Sequence, residues 1–104
     1  MLESDLKRTV QDFLQYQKNL GNLVFLRLNA GNFIVKNIDG SHRMIKGVEP
    51  GTSDFLILVS GLTIFLELKG EKGRQTQAQR DFESAVVKQG AGYLLIKEIE
   101  ELER

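Results

Sequence analysis

The chain has no cysteine and no tryptophan, and only one proline and one histidine among its 104 residues. Without cysteine there is no disulfide framework, no zinc knuckle and no thiol nucleophile. With His42 alone, a histidine-rich metal centre or a histidine dyad is excluded as well. No apolar run approaches the roughly 18 residues of a membrane span. The opening Met1-Leu2-Glu3-Ser4-Asp5-Leu6 brings charge at once, where a signal peptide needs an apolar core. A cytoplasmic protein with no membrane partner is expected. Repeats, low-complexity segments and linkers are missing too, so residues 1–104 read as one domain. Charge of one sign is also lacking: 14 basic residues balance 14 acidic ones, which argues against a strong non-specific polyanion binder.

What is present is an ordinary globular balance, 41% hydrophobic and 27% charged. Leu2, Leu6, Val10, Phe13 and Leu14 follow the spacing of an amphipathic helix that ends near Asn19–Asn22. Leu23 to Asn29 and Asn32 to Asn37 read as strands. The Asp39-Gly40 turn returns the second of these through His42 to Ile45, where His42 is a surface residue. A loop holding Pro50 leads to two strongly apolar strands, Asp54 to Val59 and Leu62 to Lys69, joined by Ser60-Gly61. Both faces of this hairpin are apolar, as in central strands covered on two sides. Thr76 is placed to cap a helix whose stripe is Ala78, Phe82, Ala85, Val86 and Gln89. Tyr93 to Ile96 is a last strand, and Glu98 to Arg104 is too short to stand alone as a helix. The expected fold is α/β, a central mixed sheet flanked by helices.

Asp54, Glu67 and Lys69 interrupt or end runs that are otherwise Phe, Leu, Ile and Val. A buried carboxylate is costly unless it is paired or binds a metal. With a two-residue turn at Ser60-Gly61, counting back along both strands sets Asp54 opposite Glu67. Side chains so placed have Cβ atoms roughly 5 Å apart on one face, and Lys69 shares that face. Two facing acids repel, and a divalent cation between them removes the conflict. An all-oxygen site suits Mg²⁺ or Mn²⁺. The alternative is a pair of edge charges compensated by Lys69.

Pro50-Gly51-Thr52-Ser53-Asp54 followed by Glu67-Leu68-Lys69 resembles the PD-(D/E)XK nuclease pattern. More narrowly, the chain resembles the virus-type replication-repair nuclease (VRR-NUC) domain in its stand-alone form. The matching elements come in order: Glu3 near the start of helix one; Arg27-Leu28-Asn29-Ala30-Gly31; Gly51 to Asp54; Glu67 to Lys69; and Gly73, Arg74 and Gln79. Pro50 stands four residues before Asp54 rather than beside it, the usual form in this subfamily.

The resemblance implies a restriction-endonuclease-like core and metal-dependent hydrolysis of DNA phosphodiesters. Asp54, Glu67 and the backbone carbonyl of Leu68 would hold the metal, with Glu3 reaching it directly or through water; alternatively Glu3 is an acid in the first turn of its helix, favoured by the dipole. Lys69 would orient or deprotonate the attacking water. Gln79, at the core-facing edge of its helix, could point into the site; alternatively it is a boundary glutamine. Arg27 and Asn29 are second-rank candidates for a phosphate, and Lys46, Lys72 and Arg74 for contacts to the DNA backbone. The stand-alone form also implies a homodimer acting on branched DNA such as a four-way junction. The competing expectation is a non-catalytic nucleic-acid-binding module on the same fold.

Overall fold

A computed structural model describes residues 2–28, 32–46 and 49–103, with the backbone alone at 32–35, 45 and 46. The element order is α1 (Glu3–Asn19), β1 (Val24–Arg27), β2 (Asn32–Lys36), β3 (His42–Lys46), β4 (Phe55–Val59), β5 (Leu62–Leu68), α2 (Gln77–Lys88), β6 (Gly92–Ile96) and α3 (Glu100–Glu103). It is a small α/β protein. Its four-stranded mixed sheet runs β1-β4-β5-β6, antiparallel except for β5 beside β6. β2 and β3 form a separate antiparallel pair.

α1 begins with Glu3 and Asp5 in its first turn and ends with Lys18 in its last, charges that suit the helix dipole. Its apolar stripe buries Leu6, Val10 and Leu14 completely. They meet Phe55 and Ile57 of β4, Leu66 and Leu68 of β5 and Ile96 of β6. Phe25 closes the β1 side, edge-on to Phe55 with ring centroids 6.0 Å apart. Leu2 is left out of this stripe: it sits at the N-cap and is exposed.

The β4–β5 connection is the two-residue turn expected, with Ser60 and Gly61 both at positive φ, 50° and 79°. Such a turn matches the twist of the flanking strands. The register therefore runs Val59↔Leu62 through Phe55↔Leu66, as counted from the sequence. It does not continue to Asp54. The Asp54 N–H donates to the Leu66 carbonyl at 3.0 Å, so Asp54 and Phe55 stand together against one residue. This bulge-like step re-aims the Asp54 side chain, and its Oδ2 accepts the Leu68 N–H at 2.8 Å.

α2 crosses over from β5 to the parallel β6. Thr76 caps it reciprocally with Gln79, a capping box. Phe82 meets Phe65 of β5 edge-on at 5.1 Å, and Val86 is half-buried. Ala78, Ala85 and Gln89 are exposed, so the expected five-residue stripe narrows to two side chains. α2 lies over the β5–β6 side, and Val24, Leu26 and Leu58 remain exposed on the β1–β4 side. The expectation of two fully covered faces holds for β5 near the site and fails for β4. The C-terminal segment forms one helical turn because a local cap and packing on the core hold it. Glu101 accepts the N–H groups of Lys97 and Glu98, and Ile99 and Leu102 pack on the core.

Candidate functional site

Glu67 lies near the end of β5, on the sheet face covered by α2, and is 3% exposed. Its Oε1 accepts a hydrogen bond from Gln79 Nε2 at 3.0 Å. The Gln79 amide cannot flip freely, because its own Oε1 accepts the Thr76 N–H at 2.8 Å. The capping box thus orients the group that meets Glu67. Lys69, just past the strand, brings Nζ to 3.9 Å from Glu67 Oε1. Glu67 Oε2 is buried and has no hydrogen-bond partner among the described residues.

Burial, and then the negative charge of Asp54, push the Glu67 carboxyl up to about 8, against the pull of Lys69. This is the behaviour of two acids that cannot both ionise without a cation. Asp54 is held from the other side by Lys7 of α1, with Nζ at 3.3 Å from Oδ1. The same ammonium lies 3.6 Å from Glu3 Oε2, one turn earlier on the helix. Burial works against the charged lysine, but Asp54 and then Glu3 outweigh it and hold the Lys7 pKa above its ordinary value.

One close approach of the main chain and one set of side-chain hydrogen bonds support this arrangement. Gly51, at φ +93°, runs against the first turn of α2, where a Cβ would stand 2.5 Å from the Ala78 carbonyl oxygen. The loop carrying Asp54 and the helix carrying Gln79 are thereby packed backbone to backbone. Behind Glu67, Gln75 donates from Nε2 to Glu83 at 2.9 Å and to the Tyr93 hydroxyl at 3.0 Å, tying the loop before α2 to β6. Burial, with Glu67 and Glu83 nearby, raises the Tyr93 phenol to about 12 despite the Gln75 contact.

Of the residues singled out from sequence, Asp54, Glu67, Lys69 and Gln79 come together. Glu3 joins only through Lys7, and among the described residues no three His, Cys, Asp or Glu side chains form a metal-holding group. Arg27 lies on the α1 side of the sheet, its Nη1 donating to Gln11 Oε1 at 2.9 Å. Lys72 and Arg74 are exposed in the loop after β5. Asn29 and the Lys46 side chain lie outside the described residues. Lys7 was missed by sequence reading. The available signal was its place four residues after Glu3, which puts both on one helix face.

The donor set still fits a hard divalent cation: two adjacent carboxylates, one with an orphaned buried oxygen and a raised affinity for positive charge. No protein-family model matches the chain, and no curated protein matches it.

Proposed function

We propose that the protein is a metal-dependent DNA endonuclease of the VRR-NUC type, with a restriction-endonuclease-like core. The observation that carries the reading is the buried Glu67 beside the half-buried Asp54, with the orphaned Glu67 Oε2 and with Lys69 and Gln79 on Glu67 Oε1. Two acids in repulsion serve no purpose in the sheet itself, and they serve one around a cation.

Asp54, Glu67 and the Leu68 carbonyl would hold Mg²⁺ or Mn²⁺, with Glu3 reaching it through water. When bound, such an ion polarises the phosphate and lowers the pKa of water. The chain's own groups do the rest. Lys69 orients the attacking water, takes up or relays its proton, and offsets phosphate charge. Gln79, locked by the Thr76 cap, holds Glu67 in one rotamer and offers its amide to water. Lys7 balances Asp54 and Glu3 until a cation does so. Lys72 and Arg74 contact the DNA backbone, and Lys46 and Asn29 are proposed for the same task on the strength of the resemblance.

The test is incubation with four-way, flap and linear DNA, with and without Mg²⁺ or Mn²⁺. Asp54→Asn, Glu67→Gln and Lys69→Ala should abolish cutting while the fold survives. If both acid variants unfold and no cation rescues them, the residues are structural.

We further propose a homodimer acting on branched DNA. Resolving a four-way junction needs two cuts related by approximate two-fold symmetry, and a C₂ dimer of a short chain supplies two sites. Light scattering and strand-resolved cleavage of a fixed junction decide this. A monomer cutting linear duplex as readily as junctions would leave only the general nuclease reading. The second reading, a non-catalytic nucleic-acid-binding module, draws on Lys7, which already neutralises Asp54 and Glu3 without a metal. It predicts DNA binding with no cutting under any cation.

A further inference from the structure

Between α1 and β1 an open cavity of about 340 Å³ is lined by Ser4, Lys7, Arg8, Gln11, Asp12 and Arg27. Five of the six come from α1, where positions 4, 8, 11 and 12 share one stripe and Lys7 stands beside it. Arg27 enters from β1, on the same side of the sheet as Phe55, its register partner. Three cations therefore face one acid, Asp12, in a chain whose total charge is zero. Among the described residues, neither Arg8 nor Arg27 takes part in an ion pair. Arg27 is nonetheless held in place: Gln11 accepts one of its N–H groups at 2.9 Å. A neutral partner fixes the guanidinium and leaves its charge and its remaining donors free. This is the arrangement that suits bidentate capture of an oxyanion.

The cavity also adjoins the acidic pair. Lys7 lines it and reaches Asp54 at 3.3 Å. A nucleic-acid strand with one phosphate at Asp54 and Glu67 continues to a neighbouring phosphate, and α1 offers cations on that path. We propose that this cavity seats a backbone phosphate adjoining the one to be cut, with Arg8 and Arg27 as its anchors and Lys7 as the link to the acids. The path of the strand rests on the nuclease reading above; the anion site itself rests on the cavity and its charges. Contacts of this kind set position and register and carry no sequence preference.

The experiment is DNA binding measured by fluorescence anisotropy in EDTA, where no cutting occurs, across a salt series. Arg8→Gln and Arg27→Gln should each weaken binding about fivefold to tenfold for any sequence and lower the salt slope by about one. Asp12→Asn should tighten binding, and Arg8→Lys should retain more of it than Arg8→Gln. All three positions are exposed, and matching thermal melts confirm the fold. Inorganic phosphate should compete with DNA for the wild type and less for the double variant, Arg8→Gln with Arg27→Gln. Unchanged affinity and slope in the double variant overturn the proposal, whether or not free phosphate binds. Cleavage with Mn²⁺ is read separately. A wild type that never cuts, with binding still lost in the double variant, sinks the nuclease and keeps the phosphate seat. A wild type that cuts, with the double variant binding and cutting equally, does the reverse.

Discussion

Replacing Glu67 by glutamine should stabilise the metal-free protein at alkaline pH and do little at acid pH. The folded-state pKa of Glu67, about 8, lies above its ordinary value of 4.5, so the fold binds this proton more tightly than the unfolded chain does. The sign follows: the stability linked to Glu67 is complete below about pH 4.5 and is lost as pH rises towards 8. At about 1.4 kcal/mol per unit, the full shift has a ceiling of about 5 kcal/mol. The Asp54 side chain beside it is 20% exposed, and water at that mouth screens the repulsion. About 2 kcal/mol is the reasonable remainder, or roughly 10 °C in Tm for a domain of this size. Glutamine mimics the protonated acid. Its carbonyl accepts from Gln79, and its amide can donate to Asp54. The assay is thermal melting of both proteins in EDTA from pH 5 to pH 9. The wild type should lose stability across this range relative to Glu67→Gln, and the gap should shrink in an Asp54→Asn background. Parallel pH curves for the two proteins would refute the argument, because Glu67 would then ionise in the fold without penalty.

Metal binding should stabilise the native state by mass action. Tm should rise with Mn²⁺ in the wild type and much less in Glu67→Gln, and an equal rise in both places the ion elsewhere. Gly51→Ala should destabilise the chain by about 1–3 kcal/mol, because φ is +93° and the added Cβ meets the Ala78 backbone. The readout is a urea midpoint, with Mn²⁺ affinity falling in parallel as the Asp54 loop shifts from α2; a midpoint within error of wild type shows that the loop yields freely.

Much of the scaffold is legible in the order of residues alone. The period of Leu6, Val10 and Leu14 fixes the buried face of α1, because a helix repeats every 3.6 residues whatever it packs on. Ser60-Gly61 fixes the β4–β5 register as far as Phe55↔Leu66, because a two-residue turn leaves no choice of pairing. The anomaly of Asp54, Glu67 and Lys69 was legible for the same reason: charges inside apolar strands conflict with burial wherever the strands lie. The rest follows from the way distant segments pack. The bulge-like step at Asp54 depends on where the Leu66 carbonyl and the Leu68 N–H stand, which no local pattern encodes. Gln79 meets Glu67 because the crossover lays the first turn of α2 over β5, and Gly51 must make room for it. In the sequence nothing but its spacing from Glu3 separates Lys7 from the other lysines. It became the counter-ion of Asp54 only when α1 packed on the sheet and brought together two residues 47 positions apart. Contacts between distant segments are set by how the layers stack, and that stacking is a property of the whole fold.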